Sequence, residues 1–376
     1  MLLVLSYFAI CAGCVPIGEF SVQQIQKPGA AFTKLDHFDG LESELIDAAN
    51  NNGTLRLLVV QGMGLHDPGF STNLIDRVAA NLNLRFVGGT NIIIPERPYY
   101  STLDIRNFAN GSNRMCVYEL TWSPLTAIIK TNAFALDMAP QQISTRLVVN
   151  NSLKVQLMDE SLSDVVLYVG KFRPYIQLPV TNAIYQMVAD SSPNDPISII
   201  THSLAGYIVV DTLSSMYDSD ASKSVAHNYA SHVRQLFMMA NQLPILNLSD
   251  LTDINSNPSS LEDKLNQVVH PGTMLQSAKN PIQIVAFSDP NDLLSYKLRP
   301  SDIQEQTTQV IKEASRENAQ LIFPSSVHVN AFNVTYTVNP WSILGIVSNP
   351  TWAHNDWWTD PGVPRFLAFG CETNNQ

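Results

Sequence analysis

Apolar and β-favouring residues along this chain occur in short runs that end at a glycine, a proline or a polar cluster. Runs of about four to eight such residues between turn signals are typical of strands covered on both faces of a sheet. The predicted strands lie at residues 55–60, 117–122, 196–200, 233–240, 282–287 and 327–338. Amphipathic segments at 71–82, 164–188 and 302–319 predict helices between them. This alternation predicts an α/β fold with a mostly parallel, doubly wound sheet.

Three stretches interrupt the alternation. Residues 86–115 contain a Gly-Gly pair and two prolines, which predicts a loop-rich excursion above the sheet. Residues 124–164 are mixed and mostly helical in pattern, and residues 244–280 are rich in Asn, Ser, Asp and Pro. We therefore expect a single domain over 15–376, with cap-like insertions near 86–164 and 244–280 that restrict access to one face of the sheet.

One predicted strand leads directly to a candidate catalytic residue. The apolar run at 196–200 passes through Thr201 and His202 to Ser203, and the segment Leu204, Ala205 and onward reads as a helix. A serine at a sharp turn between a strand and a helix holds its hydroxyl clear of the sheet, above the positive end of the helix. Ser203 is therefore the candidate nucleophile. We expect His202 to pack beneath the turn, because neighbours on a strand point to opposite faces.

Charge and composition exclude some classes of partner. With 22 basic and 33 acidic residues the chain has a formal net charge of −11, which argues against a phosphate-binding surface and against nucleic acid. There is no zinc-type His-Glu-x-x-His pattern, no Cys-x-x-Cys pair in the body of the chain and no phosphate-binding glycine loop. We therefore expect no metal and no cofactor.

Residues 1–14 resemble an export signal, because 1–13 are almost entirely apolar. The ending Ala-Gly-Cys is similar to a bacterial lipoprotein processing site, at which Cys14 would be lipidated and would attach the protein to a membrane. An ordinary signal peptide and a hydrophobic first helix remain open as alternatives, since no Lys or Arg precedes the run. The expected location is extracytoplasmic, either secreted or anchored at the cell envelope.

A nucleophilic serine needs a base and an acid that orients the base. The chain offers these groups in the order serine, aspartate, histidine. Ser203 comes first, and Asp292 or Asp289 follows just after the predicted strand at 282–287. His354 comes last, in a polar and aromatic loop predicted over 349–358, after an apolar strand predicted at 343–347. On these residues the chain resembles the α/β-hydrolase superfamily, of the serine lipase and esterase kind, from about residue 55 to the end. The resemblance favours Asp292 as the acid, with Asp289 as the alternative that would instead hold the turn.

The resemblance also implies an oxyanion hole made by the backbone N–H groups of Met63 and Leu204. Thr201 and Ala205 stand where the family usually has glycine, and Gln61 stands where it often has histidine. The expected activity is hydrolysis of a carboxylic ester, with a small-molecule or lipid ester as substrate, through an acyl-enzyme. Thioesters and amides remain open as substrates. The alternative is a non-catalytic protein of the same fold that binds a lipid or a partner at the cell envelope.

Overall fold

The computed structural model describes residues 33–34, 37–96, 99–147, 150–151, 153–250, 282–298, 329–338, 342–343, 347–348 and 350–371. Contacts within the chain divide it into two units, residues 1–30 with 340–348, and residues 31–339 with 349–376. The leader with Cys14, the predicted helix at 302–319 and most of the predicted insertion at 244–280 lie outside the described residues.

The larger unit contains a nine-stranded sheet and a short two-stranded sheet. Its strands are β1 (Thr33–Lys34), β2 (Phe38–Asp39), β3 (Leu55–Val60), β4 (Arg85–Glu96), β5 (Tyr99–Asn110), β6 (Asn113–Thr121), β7 (Ile197–His202), β8 (Val233–Met239), β9 (Ile282–Ser288), β10 (Val329–Tyr336) and, after the chain has passed through the smaller unit, β13 (Gly370–Cys371). In the smaller unit, β11 (Ser342–Ile343) and β12 (Val347–Ser348) pair antiparallel.

Helices separate most of these strands. They are α1 (Leu41–Asn50), α2 (Thr72–Asn81), α3 (Pro124–Ala133), α4 (Pro140–Thr145), a π-helix (Leu153–Leu162), α5 (Ser163–Val169), α6 (Arg173–Asp190), α7 (Leu204–Tyr217), α8 (Lys223–His232), α9 (Leu243–Leu246), a 3₁₀-helix (Asn247–Asp250), α10 (Pro350–Asn355), a second 3₁₀-helix (Asp356–Trp358) and α11 (Val363–Phe369). None of the helices within the described ranges is long and apolar enough to cross a lipid bilayer.

The order of strands in the large sheet is β1-β10-β9-β8-β7-β3-β6-β5-β4. The neighbours from β10 through to β6 are parallel, whereas β1 and the pair β5 and β4 run antiparallel at the two edges. The protein is therefore an α/β protein with a mixed, mostly parallel sheet. The six parallel strands all present their carboxyl ends along one edge of the sheet.

Both faces of the sheet are covered by helices. On β3, Leu58 and Val60 belong to a core packed under α6 and α7, whereas Leu57 and Val59 belong to a second core under α1, α2 and α11. This follows from the two-residue period of a strand, which sends successive side chains to opposite faces. It explains why the central strands read as unbroken apolar runs in the sequence.

Residues 86–115 do not form the predicted loop-rich excursion. They lie in β4, β5 and the start of β6, and β4 and β5 make a long antiparallel ribbon that extends the sheet. The Gly-Gly pair marks an irregularity inside β4, where the register shifts between Phe86 and Gly88. Pro95 is tolerated because β4 is an edge strand, and an edge strand does not need every N–H for pairing. The Gly-Gly pair and Pro95, which are typical of turns, therefore lie within a strand in this protein.

Two predictions near the end of the chain also differ from the structure. The two ends of the run at 343–347 do not belong to one strand, since Ile343 in β11 pairs antiparallel with Val347 in β12. Within the region predicted as a loop over 349–358, residues 350–358 are helical, and His354 lies in the last turn of α10. Pro350 begins that helix, at a position where its missing N–H has no cost. By contrast, the mostly helical pattern at 124–164 is confirmed by α3, α4 and the π-helix.

Candidate active site

Ser203 occupies a strained turn between β7 and α7. Its backbone has φ 56° and ψ −127°, a conformation that a residue with a side chain rarely adopts. The strain is held by the surroundings, because the Ser203 N–H donates to the Met239 carbonyl at 2.8 Å and the side chain is buried. The chain thus passes directly from a buried strand into a helix, with the serine at the tip of the turn.

Small residues allow this turn to sit close to its neighbours. A Cβ on Gly206 would lie 2.9 Å from Leu243 Cδ1 and 3.3 Å from Thr201 Oγ1, so a larger residue would force a shift. Thr201, where the resembled family usually has glycine, is fully buried and directs its hydroxyl to the Phe237 carbonyl at 3.4 Å. The sheet therefore accommodates the larger residue below the turn.

His354 stands between Ser203 and Asp292. Its Nε2 is 2.8 Å from the Ser203 hydroxyl, and its Nδ1 is 2.9 Å from Asp292 Oδ2. A carboxylate at Nδ1 favours the tautomer with the proton on Nδ1, which leaves Nε2 free to accept the serine proton. All three side chains are buried, although 89 and 62 residues separate them along the chain.

Asp292 and Asp289 have different roles in the turn after β9. Asp292 accepts from His354 with Oδ2 and from the Leu294 N–H at 2.9 Å with Oδ1. Asp289 accepts from the N–H groups of Asn291 and Val338, each at 2.8 Å, and these bonds hold the turn. Burial raises the pKa of Asp289 to about 6. The geometry therefore joins Asp292 to the histidine and leaves Asp289 in the turn.

The two expected oxyanion donors lie on either side of the serine. Leu204 is the first residue of α7, so its N–H has no helical partner four residues earlier. On the other side, Gly62 lies directly against Ser203, since a Cβ on residue 62 would be 2.9 Å from Ser203 Cβ and 2.7 Å from His202 Nδ1. The Gly62–Met63 peptide can approach the serine this closely only because residue 62 has no side chain.

His202 has a more specific contact than the packing that the sequence predicts. It is buried, and its Nε2 lies 2.7 Å from the carbonyl oxygen of His354. Burial holds the pKa of His202 well below its usual value, so the ring is neutral and donates from Nε2. His202 therefore bonds the main chain of the residue that contacts Ser203. No local signal predicts this bond, because 152 residues separate the two histidines.

A buried ion pair supports the loop that follows β3. Asp164 accepts the Gly64 N–H at 2.8 Å, and both of its oxygens lie 2.9 Å from Lys130 Nζ. His66 is half-buried beside Phe70, and its backbone N–H donates to the Ser123 hydroxyl oxygen at 3.0 Å. Asp67 is exposed. No sequence motif marks Asp164 or Lys130, which are 34 residues apart along the chain.

An apolar cleft of about 750 Å³ adjoins this ion pair. It lies between α3, the π-helix and α5, and Lys130 forms part of its wall. Its apolar lining includes Ile129, Phe134, Leu157, Leu162 and Val166. A cleft of this size and character is typical of sites that bind small apolar ligands.

Among the residues that the structure describes, no group of three His, Cys, Asp or Glu side chains could hold a metal ion. Comparisons with protein-family models, with curated proteins and with solved structures found no match. What can be inferred about function therefore depends on the geometry of the site.

Proposed function

We propose that this protein is a serine hydrolase of carboxylic esters with the α/β-hydrolase architecture. The observation that carries the proposal is the continuous set of hydrogen bonds from the Ser203 hydroxyl through His354 to Asp292. A buried serine, histidine and aspartate in this arrangement are the groups that nucleophilic acyl transfer requires. The strained turn at Ser203 supports the same assignment, because strain of this kind concentrates at functional sites.

In the proposed reaction, Ser203 Oγ attacks the ester carbonyl carbon while His354 Nε2 takes the hydroxyl proton. The resulting oxyanion is stabilised by the N–H groups of Met63 and Leu204. Collapse of the tetrahedral intermediate breaks the bond to the alcohol, which leaves with the proton from His354. Water then attacks the acyl-enzyme by the same route, and the carboxylic acid is released. Asp292 keeps the imidazole oriented and stabilises its protonated form.

The proposed substrate is a small-molecule or lipid ester with an apolar acyl group. The apolar cleft between α3, the π-helix and α5 supports this choice through its volume of about 750 Å³ and its apolar character. Its lining includes Lys130, whose partner Asp164 bonds Gly64, but not Ser203, Asp292 or His354. The helical segment from α3 to the π-helix would act as the cap. The proposed location outside the cytoplasm and the proposed attachment through Cys14 depend on the leader, and mass spectrometry of the mature N-terminus tests both.

An alkyl fluorophosphonate probe tests the proposed activity, because it reacts with activated serines. We expect labelling of the wild-type protein and no labelling of Ser203→Ala. Ser198→Ala is a matched control, since Ser198 lies on the same strand but bonds Gln235 Oε1 within the sheet. It should be labelled as the wild type is. A folded wild-type protein that is neither labelled nor active on p-nitrophenyl esters would contradict the proposal and favour the non-catalytic binding protein.

A further inference from the structure

The loop between β3 and α2 carries one of the two proposed oxyanion donors, and its conformation depends on a contact made from far along the chain. Gly64 has φ +93°, a conformation that favours glycine. The Gly64 N–H donates to Asp164 Oδ2 at 2.8 Å, across 100 residues of sequence. The Met63–Gly64 peptide is therefore tied through its nitrogen to α5.

The loop is also held two residues further on. The His66 N–H donates to the Ser123 hydroxyl oxygen at 3.0 Å, and the Ser123 hydroxyl donates to the His66 carbonyl at 2.9 Å. With Gly64 tied to Asp164 and His66 tied to Ser123, the Met63–Gly64 peptide has little freedom to rotate. The Met63 N–H belongs to the adjoining peptide and shares the Met63 α-carbon, so its direction is restrained as well.

Asp164 itself is fixed by Lys130. The Lys130 ammonium lies 2.9 Å from both carboxylate oxygens and donates to the Glu160 carbonyl at the same distance. Asp164 is fully buried and Lys130 nearly so. Burial raises the pKa of Asp164, and the lysine counters that effect. An ion pair with this much desolvation is weak evidence for a contribution to stability, because a well-packed apolar pair often does equally well. A role in positioning accounts for its presence more directly.

We propose that Asp164 and Lys130 are positioning residues for the oxyanion hole, and that they act through the Gly64 N–H. Asp164 orients the loop so that the Met63 N–H points at the oxyanion, and Lys130 keeps Asp164 ionised and in place. Asp164 does not line the apolar cleft, whereas Lys130 forms part of its wall, and for that reason the two variants compared below carry the same change at Lys130. This inference rests on the proposed function. It predicts that loss of the contact slows the chemical step and leaves substrate binding almost unchanged.

Two double variants isolate the contact. Lys130→Met/Asp164→Leu removes the charges and the acceptor together, so that no unpaired charge stays buried. Lys130→Met/Asp164→Asn removes the same charges but keeps a carbonyl oxygen that can accept the Gly64 N–H. With a p-nitrophenyl ester as substrate, we expect kcat of the Leu variant to fall by roughly tenfold to a hundredfold, with a KM within about twofold of the KM of the Asn variant. The Asn variant should recover most of the loss.

A second ion pair provides the control for a purely structural role. Arg56 Nε lies 2.7 Å from Asp195 Oδ2, and both side chains are largely buried at the opposite, amino end of β3. Arg56→Met/Asp195→Asn should lower the melting temperature but leave kcat unchanged. If Lys130→Met/Asp164→Leu does not fold, Lys130→Met/Asp164→Ser replaces it, because the shorter serine cannot reach Gly64.

The outcomes separate this inference from the proposed function. A folded Leu or Ser double variant with wild-type kcat, or with the same kcat as the Asn variant, would overturn the positioning role while the hydrolase proposal stands. A loss that appears in KM alone would also overturn it. A wild-type protein with no turnover and no fluorophosphonate labelling would contradict the hydrolase proposal itself, and this inference with it.

Discussion

The parallel strands and the antiparallel ribbon of β4 and β5 belong to one sheet but differ in what they carry. Met63, Ser203 and Asp292 each follow the carboxyl end of a parallel strand, respectively β3, β7 and β9. Because these strands are parallel, their carboxyl ends lie at one edge of the sheet, where loops from distant parts of the chain meet. In the ribbon, successive strands turn back, so their ends lie at opposite edges. Of the site residues, none lies on β4 or β5.

Burial differs in the same way. Every residue of β7 is buried, whereas Phe86, Val87 and Ile93 of β4 are mostly exposed. A strand that is packed on both faces holds the residue at its end rigidly, which a strained turn such as that at Ser203 requires. An edge strand cannot provide this support. The comparison therefore predicts that substitutions at the carboxyl edge affect turnover, and that substitutions on the ribbon affect little.

The largest effect is expected for Ser203→Ala, because it removes the proposed nucleophile. Turnover of a p-nitrophenyl ester should fall by roughly 10⁴-fold or more, with an unchanged melting curve. Ser198→Ala on the same strand should lose about 1 kcal/mol of stability with its hydrogen bond to Gln235, and should keep its turnover. Equal turnover in Ser203→Ala and the wild type would contradict the claim that the carboxyl edge of the parallel strands carries the reactive group.

The next effect separates the two aspartates after β9. Asp292→Asn should reduce kcat by roughly 10²- to 10⁴-fold, because an amide no longer favours the productive tautomer of His354. Asp289→Asn should keep kcat within a few-fold and lose about 1–2 kcal/mol of stability, since it weakens the bonds to Asn291 and Val338. Steady-state kinetics and urea unfolding measure the two effects. The opposite ranking of kcat would make Asp289 the acid.

A smaller effect is expected at His202, which bonds the His354 main chain. His202→Leu removes the donor and should lower kcat by about tenfold, whereas His202→Gln keeps an N–H donor and should retain more activity.

His202 also makes a prediction about acid stability. Because its pKa is depressed in the folded protein, the unfolded chain binds the extra proton first, and stability is lost as the pH falls below about 6.5. The unfolding free energy of His202→Gln should therefore fall less between about pH 6.5 and pH 5 than that of the wild type. An identical pH dependence in the two proteins would show that His202 is not the neutral, buried group described above.

The smallest effect is expected on the ribbon. Ile93→Thr, at a side chain that is 64% exposed, should change the free energy of unfolding by less than about 0.5 kcal/mol and leave kcat unaltered. Urea midpoints and ester turnover give both values. A clear loss of turnover in this variant would mean that the ribbon of β4 and β5 contributes to the site, contrary to the comparison drawn above.

Sequence reasoning succeeds where local pattern and tertiary environment agree. The central strands are covered on both faces, so each is an apolar run, and the turn that carries Ser203 follows one of them directly. The order of serine, acid and histidine then restricts the partners to few candidates. The structure brings Ser203, His354 and Asp292 within hydrogen-bonding distance, as that order predicts.

Sequence reasoning fails where contacts with distant segments determine the local structure. Glycine and proline normally indicate loops, but pairing with β5 and β6 makes a ribbon of residues 86–115. His354 lies in a short helix and not in a loop, because Pro350 can begin a helix as readily as it can end one. The contacts of Asp164 with Gly64 and of His202 with His354 cross 100 and 152 residues, and no periodic pattern encodes them.

The pairing of β2 with β13 has a consequence for how the protein is made. Phe38 pairs with Cys371 and Asp39 with Gly370, and α11 packs on the core under α1 and α2. The last described residues therefore pack against β2 and α1, which precede them in the chain by more than 300 residues. A ribosome releases the chain from its amino end, and His354 follows Ser203 by 151 residues. A nascent chain that stops before Pro350 therefore has Ser203 without the histidine that bonds it. Under the proposed function, reactivity toward esters would begin only after the helix that carries His354 has been synthesised.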